Sequence, residues 1–160
     1  MNKLITCTSV GVYEGALDRG RRYEVLAENL NNVRVRGDND KIRWFPKYCF
    51  DLEGKPAPVL INWKFDDQIR DELSDWVEVS FELSDGSRRW CSFVTPEWLR
   101  FLLDQPNPEE GFCSPYMIIV SKLTTENVNQ MLRKLDRDGE LISASQVLDS
   151  SNLDDDEQEA

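Results

Sequence analysis

The chain has no histidine among its 160 residues. That removes the side chain most often used as a general base near neutral pH, and the commonest metal ligand. No Gly-x-Ser-x-Gly elbow, phosphate-cradling glycine loop or dinucleotide fingerprint supplies chemistry by another route. Cysteine is sparse: Cys7, Cys49, Cys91 and Cys113 lie 42, 42 and 22 positions apart, with no pair at zinc-knuckle spacing. No cofactor and no metal are expected. Met1 to Val12 holds a single lysine and an apolar run too short for a secretory core, so the expectation is a cytoplasmic chain with reduced, mostly buried thiols and no disulfide. No window approaches the roughly 18 apolar residues of a membrane span. An enzyme and a membrane protein are thus both poor fits.

Acid is what the chain has in excess. Nineteen Lys and Arg face thirty Asp and Glu, a net charge of -11. Residues 1 to 51 carry nine basic and seven acidic groups, residues 52 to 148 ten and seventeen, and residues 149 to 160 none and six. A field of that sign repels nucleic acid and anionic lipid from most of the surface and attracts basic proteins. Only the first lobe remains open to a polyanion.

The organisation expected is α+β: a small β lobe over 1-52, an α+β lobe over 53-148 and an acidic tail over 149-160 without an apolar period. Leu52 to Pro58, with two prolines, is the linker between the lobes. In the first lobe short strands are expected over Tyr23 to Ala27, Val33 to Arg36 and Lys41 to Phe45, the last two joined by the turn Gly37-Asp38-Asn39-Asp40. Val33 and Val35 alternate with Arg34 and Arg36, which predicts one buried face and one guanidinium face. The Arg36-Gly37-Asp38 triplet is a hairpin turn, not an adhesion signal.

Leu17-Asp18-Arg19-Gly20-Arg21-Arg22-Tyr23-Glu24-Val25-Leu26 resembles the loop and strand that open an SH3-like barrel. Trp44-Phe45-Pro46-Lys47-Tyr48-Cys49-Phe50 is similar to the strand, Pro-initiated helical turn and closing strand that finish one. The resemblance covers residues 13-51, and Tudor, KOW and bacterial SH3 modules share the pattern. It implies an aromatic groove for proline-rich peptides, yet Val33 and Arg34 stand where the groove tryptophan belongs, and Cys49 stands in place of the tyrosine after the proline. Two other uses fit such a barrel: an aromatic cage of Tyr13, Tyr23, Trp44 and Tyr48 around a cation, or a nucleic-acid surface built from Arg34, Arg36, Arg43, Lys47 and Trp44. Against both stands the plainer alternative that the aromatics fill a core and the arginines solvate a strand.

The second lobe opens with a strand over Val59 to Phe65. Trp76 to Leu83 then alternates strictly, and Asp85-Gly86 suits a two-residue type I′ loop returning through Arg88 to Val94. That register pairs Glu82 with Arg89, Phe81 with Trp90 and Val77 with Val94. Thr95-Pro96-Glu97 opens a helix with Trp98, Leu99, Leu102 and Leu103 on its apolar side. Met117 to Val120 reads as a strand buried on both faces. Thr124 or Thr125 caps a second helix with Val128, Met131, Leu132 and Leu135 at helical spacing, which Gly139 ends, and a last strand runs from Leu141 to Val147. Asp136-Arg137-Asp138-Gly139-Glu140 is a helix end rather than a calcium loop, since Lys134 and Ser145 would fall at two of the liganding positions.

Cys91 beside Arg88 and Arg89, and the doublets Asp66-Asp67 and Glu109-Glu110, are the only residues with a catalytic or Mg²⁺ reading, and each is more simply structural or solvated. The chain therefore reads as a non-catalytic adaptor or inhibitor, with the profile of immunity proteins and anti-defence inhibitors. A basic macromolecule is its expected partner, and Asp154, Asp155, Asp156 and Glu157 are its candidate contact. The alternative is a nucleic-acid or modified-peptide reader using Arg34, Arg36, Arg43, Trp44 and Tyr48.

Overall fold

The computed structural model describes residues 1-105, 111 and 113-148, which form an α+β chain. It divides into two compact units: Met1–Val59 with Arg133–Leu141, and Leu60–Leu132 with Ile142–Ala160.

In the first unit β1 (Leu4–Cys7), β2 (Arg22–Glu24) and β6 (Phe50–Asp51) form an antiparallel sheet in the order β2-β1-β6; β3 (Ala27–Glu28), β4 (Asn32–Arg36) and β5 (Ile42–Pro46) form another in the order β3-β4-β5. Tyr23 to Ala27 is not one strand. The Val25 N–H bonds the Lys3 carbonyl while the Leu26 N–H bonds the Arg34 carbonyl, so the chain leaves one sheet for the other between them. The alternation in β4 is as its sequence predicts: Val33 and Val35 are wholly buried, Arg34 and Arg36 exposed. After Pro46 a single 3-10 turn, Lys47–Cys49, leads into β6. Ile5, Cys7, Leu17, Tyr23, Val33, Val35, Phe45 and Phe50 belong to the core of this unit. Arg19 is tied into it, its Nη1 3.0 Å from Asp136 Oδ1 and its Nε donating to the Thr8 carbonyl.

The second unit is built on a sheet in the order β10-β9-β8-β7: β7 is Leu60–Phe65, β8 Trp76–Leu83, β9 Arg88–Val94 and β10 Met117–Ile119, with β11 (Gln146–Val147) pairing on β9. All pairings are antiparallel except β10 on β9. The β8–β9 hairpin departs from the expected register by one residue: Glu82 faces Arg88, Phe81 faces Arg89 and Val77 faces Phe93. Type I′ needs φ > 0 at both loop positions, and of Asp85 and Gly86 only Gly86 has it, at +84°. The Gly86 N–H closes a turn on the Leu83 carbonyl and the Leu83 N–H takes the Ser87 carbonyl, which makes a three-residue loop ending in a left-handed glycine.

Helix α1 (Pro96–Leu103) is capped by Thr95, whose Oγ1 accepts from the Trp98 N–H. It carries no fully buried residue, and Leu103, expected on its apolar side, is exposed. Helix α2 (Thr125–Arg137) is capped by Thr124, whose Oγ1 accepts from Asn127 N–H, with Val128 and Leu132 wholly buried. β10 is buried on one face only: Ile118 is 7% exposed and Ile119 53%, because β10 lies at the end of the sheet. The last strand is confined to Gln146–Val147, since the Arg89 guanidinium occupies the Ile142 and Ser145 carbonyls that a longer ladder would use.

Candidate functional surfaces

Two surfaces collect Arg34, Arg36 and Trp44 in the first unit and Asp66 and Asp67 in the second. In the first unit the β4–β5 register sets Arg34 opposite Trp44 and Arg36 opposite Ile42. Directly opposed residues share a face, as do i and i+2 within a strand, so these four stand together. All four are exposed, Trp44 at 46%. Arg36 Nη1 donates to the Asp40 carbonyl, and among the described residues neither Arg34 nor Arg36 has a carboxylate partner.

Arg43 stands opposite Val35 and so belongs to the other side of that hairpin. Tyr48 is 75% exposed on the 3-10 turn, near Tyr13, whose phenol is raised chiefly by burial and further by Tyr48. Tyr23 is in the core: its hydroxyl donates to Asp38 Oδ2 at 2.7 Å and accepts from the Asp18 N–H, and burial pushes its phenol up. Tyr13 and Tyr48 therefore lie together without the other two aromatics of the expected cage, since Tyr23 is in the core and Trp44 faces away from Phe45, on which Tyr13 packs. Ile42 is the contributor the sequence reading missed, and the hairpin register was the signal that places it.

In the second unit Asp66, Asp67 and Glu78 converge where β7 ends against β8. The Asp66 N–H bonds the Glu78 carbonyl, Asp67 Oδ2 accepts from the Glu78 N–H at 2.8 Å, and the Ser80 hydroxyl donates to Asp66 Oδ1. Lys64 is 3.8 Å from Asp66; Glu78 has no cation beside it among the described residues. Its carboxyl is raised, first by partial burial and then by Asp67 and Asp66. A cavity of about 370 Å³ adjoins, lined by Asp67, Gln68, Arg70, Asp75, Trp76 and Trp98. Asp75 is committed to structure, accepting from the Arg70 and Trp76 N–H groups. Among the described residues no group of three or more Cys, Asp or Glu is arranged to hold a metal ion.

Cys91 is fully buried, and burial pushes its thiol up to about 12, which disfavours the thiolate a nucleophile needs. Cys7 and Cys49 are likewise buried, and Cys113 is exposed. Glu109, Glu110 and the acidic set Asp154, Asp155, Asp156 and Glu157 lie outside the described residues. No helix among the described residues is long and apolar enough to cross a membrane. Neither a family model, nor a curated protein, nor a solved structure matches the chain.

Proposed function

We propose that the chain is a non-catalytic binding protein of the adaptor or inhibitor type, and that its acidic part docks a basic macromolecular partner. The observation that carries this reading is the convergence of Asp66, Asp67 and Glu78 at the end of β7, where burial first, and then Asp67 and Asp66, raise the Glu78 carboxyl. Ammonium or guanidinium groups brought by a partner relieve that repulsion, so the cluster gains from a cation in a way that a paired surface does not. The half-buried rings of Trp76 and Trp98 beside it suit the same groups. The charge of the second unit points the same way: Leu60–Leu132 carries six basic and thirteen acidic groups and Ile142–Ala160 none and six, giving -13.

The test is affinity capture from the native host with the full chain, with Asp67→Asn/Glu78→Gln, and with a chain ending at Val147. A basic protein retained at low salt, released at high salt and weakened by the double variant supports the reading; loss on truncation alone moves the contact to Asp154–Glu157. A salt-insensitive partner, or none, overturns it.

A second reading rests on the first unit, whose two stretches carry ten basic and eight acidic groups and three of each, hence +2. We read it as SH3-like, on the strength of its two three-stranded sheets, the passage between them after Glu24 and the 3-10 turn after Pro46. Arg34, Arg36 and Trp44 on one exposed face suit a single-stranded nucleic acid, two phosphates and one stacked base. Arg34→Ala/Arg36→Ala should then remove binding of a labelled oligonucleotide and flatten its salt dependence. Unchanged binding rules the face out.

A further inference from the structure

β7 ends the sheet order β10-β9-β8-β7, and its pairing tells which of its backbone groups are free. The Asp66 N–H bonds Glu78, so residue 66, and by alternation Lys64 and Asn62, turn their N–H and C=O groups toward β8. Trp63 and Phe65 turn theirs the other way, to the open edge, and among the described residues nothing pairs with them there. Their side chains lie opposite Phe81 and Val79. Trp63 Nε1 donates to Asn129 Oδ1 of α2 at 2.9 Å, and the two rings meet edge to face at 5.0 Å. Beside the edge runs a groove of about 620 Å³ lined by Trp63, Lys64, Phe65, Thr125, Glu126 and Asn129.

An open strand edge alongside an aromatic floor and a helical wall is the arrangement that takes up a peptide by strand addition: backbone groups hold it and alternate side chains enter the groove. We propose that β7 receives an extended segment of the basic partner as an added strand, an apolar side chain resting on Trp63 and Phe65 and a cationic one reaching Glu126. The proposal rests on the acidic-docking reading and adds the place and the form of the contact. Charge selects the occupant. A second copy of this chain would bring another -11 to the same edge, whereas a basic segment is drawn to a unit of -13. Lys64 and the irregular register between Leu60 and Asn62 are devices that blunt edges, and they confine the available stretch to Trp63–Phe65.

The probe is a blocked nonapeptide of alternating lysine and valine, with two versions N-methylated at every second residue in opposite phases, titrated into the ¹⁵N-labelled full chain. An added strand turns only alternate N–H groups toward β7. One methylated phase should therefore bind at least about tenfold more weakly than the other, because it loses the backbone hydrogen bonds that the other phase keeps. The Trp63 and Phe65 amides should shift and exchange more slowly. Equal binding of both phases, or shifts centred on Asp67 and Glu78, overturns strand addition and leaves acidic docking standing. No binding at low salt overturns both. Slow exchange at Trp63 and Phe65 before any peptide is added, with a dimer in sedimentation, assigns the edge to a second copy and overturns the basic occupant.

Discussion

Gly139 ends α2 in the left-handed region at φ +75°, its N–H bonding the Asp136 carbonyl and the next N–H, of Glu140, bonding that of Leu135. Two separate costs attend an alanine there. Left-handed backbone costs an L-residue roughly 1–2 kcal/mol. In addition its Cβ would stand 2.6 Å from the Thr8 carbonyl oxygen, and Thr8 is not free to retreat, because its N–H is bonded to the Cys49 carbonyl at 2.8 Å. Forcing that contact adds on the order of 1–3 kcal/mol, as overpacking does elsewhere. Gly86 isolates the first cost: its φ is +84° and an added Cβ meets nothing within 4 Å. Gly139→Ala should thus cost about 2–5 kcal/mol and Gly86→Ala about 1–2 kcal/mol. Native-state hydrogen exchange read by mass spectrometry checks each against wild type, since peptides from each unit report its own opening free energy. Equal costs for the two substitutions would refute the close approach of the α2 terminus to Thr8.

Glu78→Gln should stabilise the protein at neutral pH, because a carboxyl raised in the folded state costs stability wherever it is ionised both folded and unfolded. The cost fades as pH falls through the raised value and is gone well below the unfolded one of about 4.3, so thermal melts should converge by about pH 3; an advantage that persists there refutes the electrostatic cause. Tyr23→Phe removes the acceptor of the Asp18 N–H while Asp38 keeps Arg21 at 2.7 Å, so the loss should be that of one stranded donor, about 1–3 kcal/mol by urea titration. Iodoacetamide at mildly alkaline pH should add once to the native chain, at exposed Cys113, since burial pushes Cys7 and Cys91 up to about 12 and raises Cys49 as well. A second adduct before unfolding, counted by mass spectrometry, would show those thiols to be accessible.

The helices were legible because their signals are local: a Thr cap, a proline in the first turn and a glycine after the last. Strand faces were legible wherever alternation was strict, as in Val33 to Arg36 and Trp76 to Leu83. Register was not. Asp85-Gly86 is compatible with loops of two or three residues, and the choice turns on the φ of one aspartate. Its consequence is large, because a slip of one residue exchanges the faces of the whole partner strand. Trp90, expected opposite Phe81, lies opposite Ser80, and Phe93 takes the place expected of Val94 opposite Val77. The β7 edge was invisible for a different reason: strand order is set by contacts distant in sequence, and no residue type announces that its strand comes last. Ile142 to Ser145 misled because the ladder it lacks is displaced by Arg89, a residue more than fifty positions away.

Charge counting located an imbalance but not the groups that express it, and pairing makes the difference. In the first unit Lys3 and Lys47 share Glu28, Arg21 holds Asp38, Arg19 holds Asp136 and Arg137 holds Glu14. An excess of only +2 is thereby concentrated on side chains left without acids, Arg34 and Arg36 among them. In the second unit the cations are spent otherwise: Lys64 lies at Asp66, Lys122 at Glu72, and Arg89 is bound to backbone carbonyls. Among the described residues Asp67, Glu78 and Glu126 have no ion-pair partner, although Arg70 lines the same cavity as Asp67 and Lys64 the same groove as Glu126; burial, with Asp67 and Asp66 after it, raises the Glu78 carboxyl. Three carboxylates without an ion-pair partner thus stand at the end of β7 and in the groove beside its edge. On the proposed reading, the aromatic groove and the unpaired backbone add short-range specificity to the long-range attraction, which is the combination a protein needs if it is to choose one basic partner rather than attract them all.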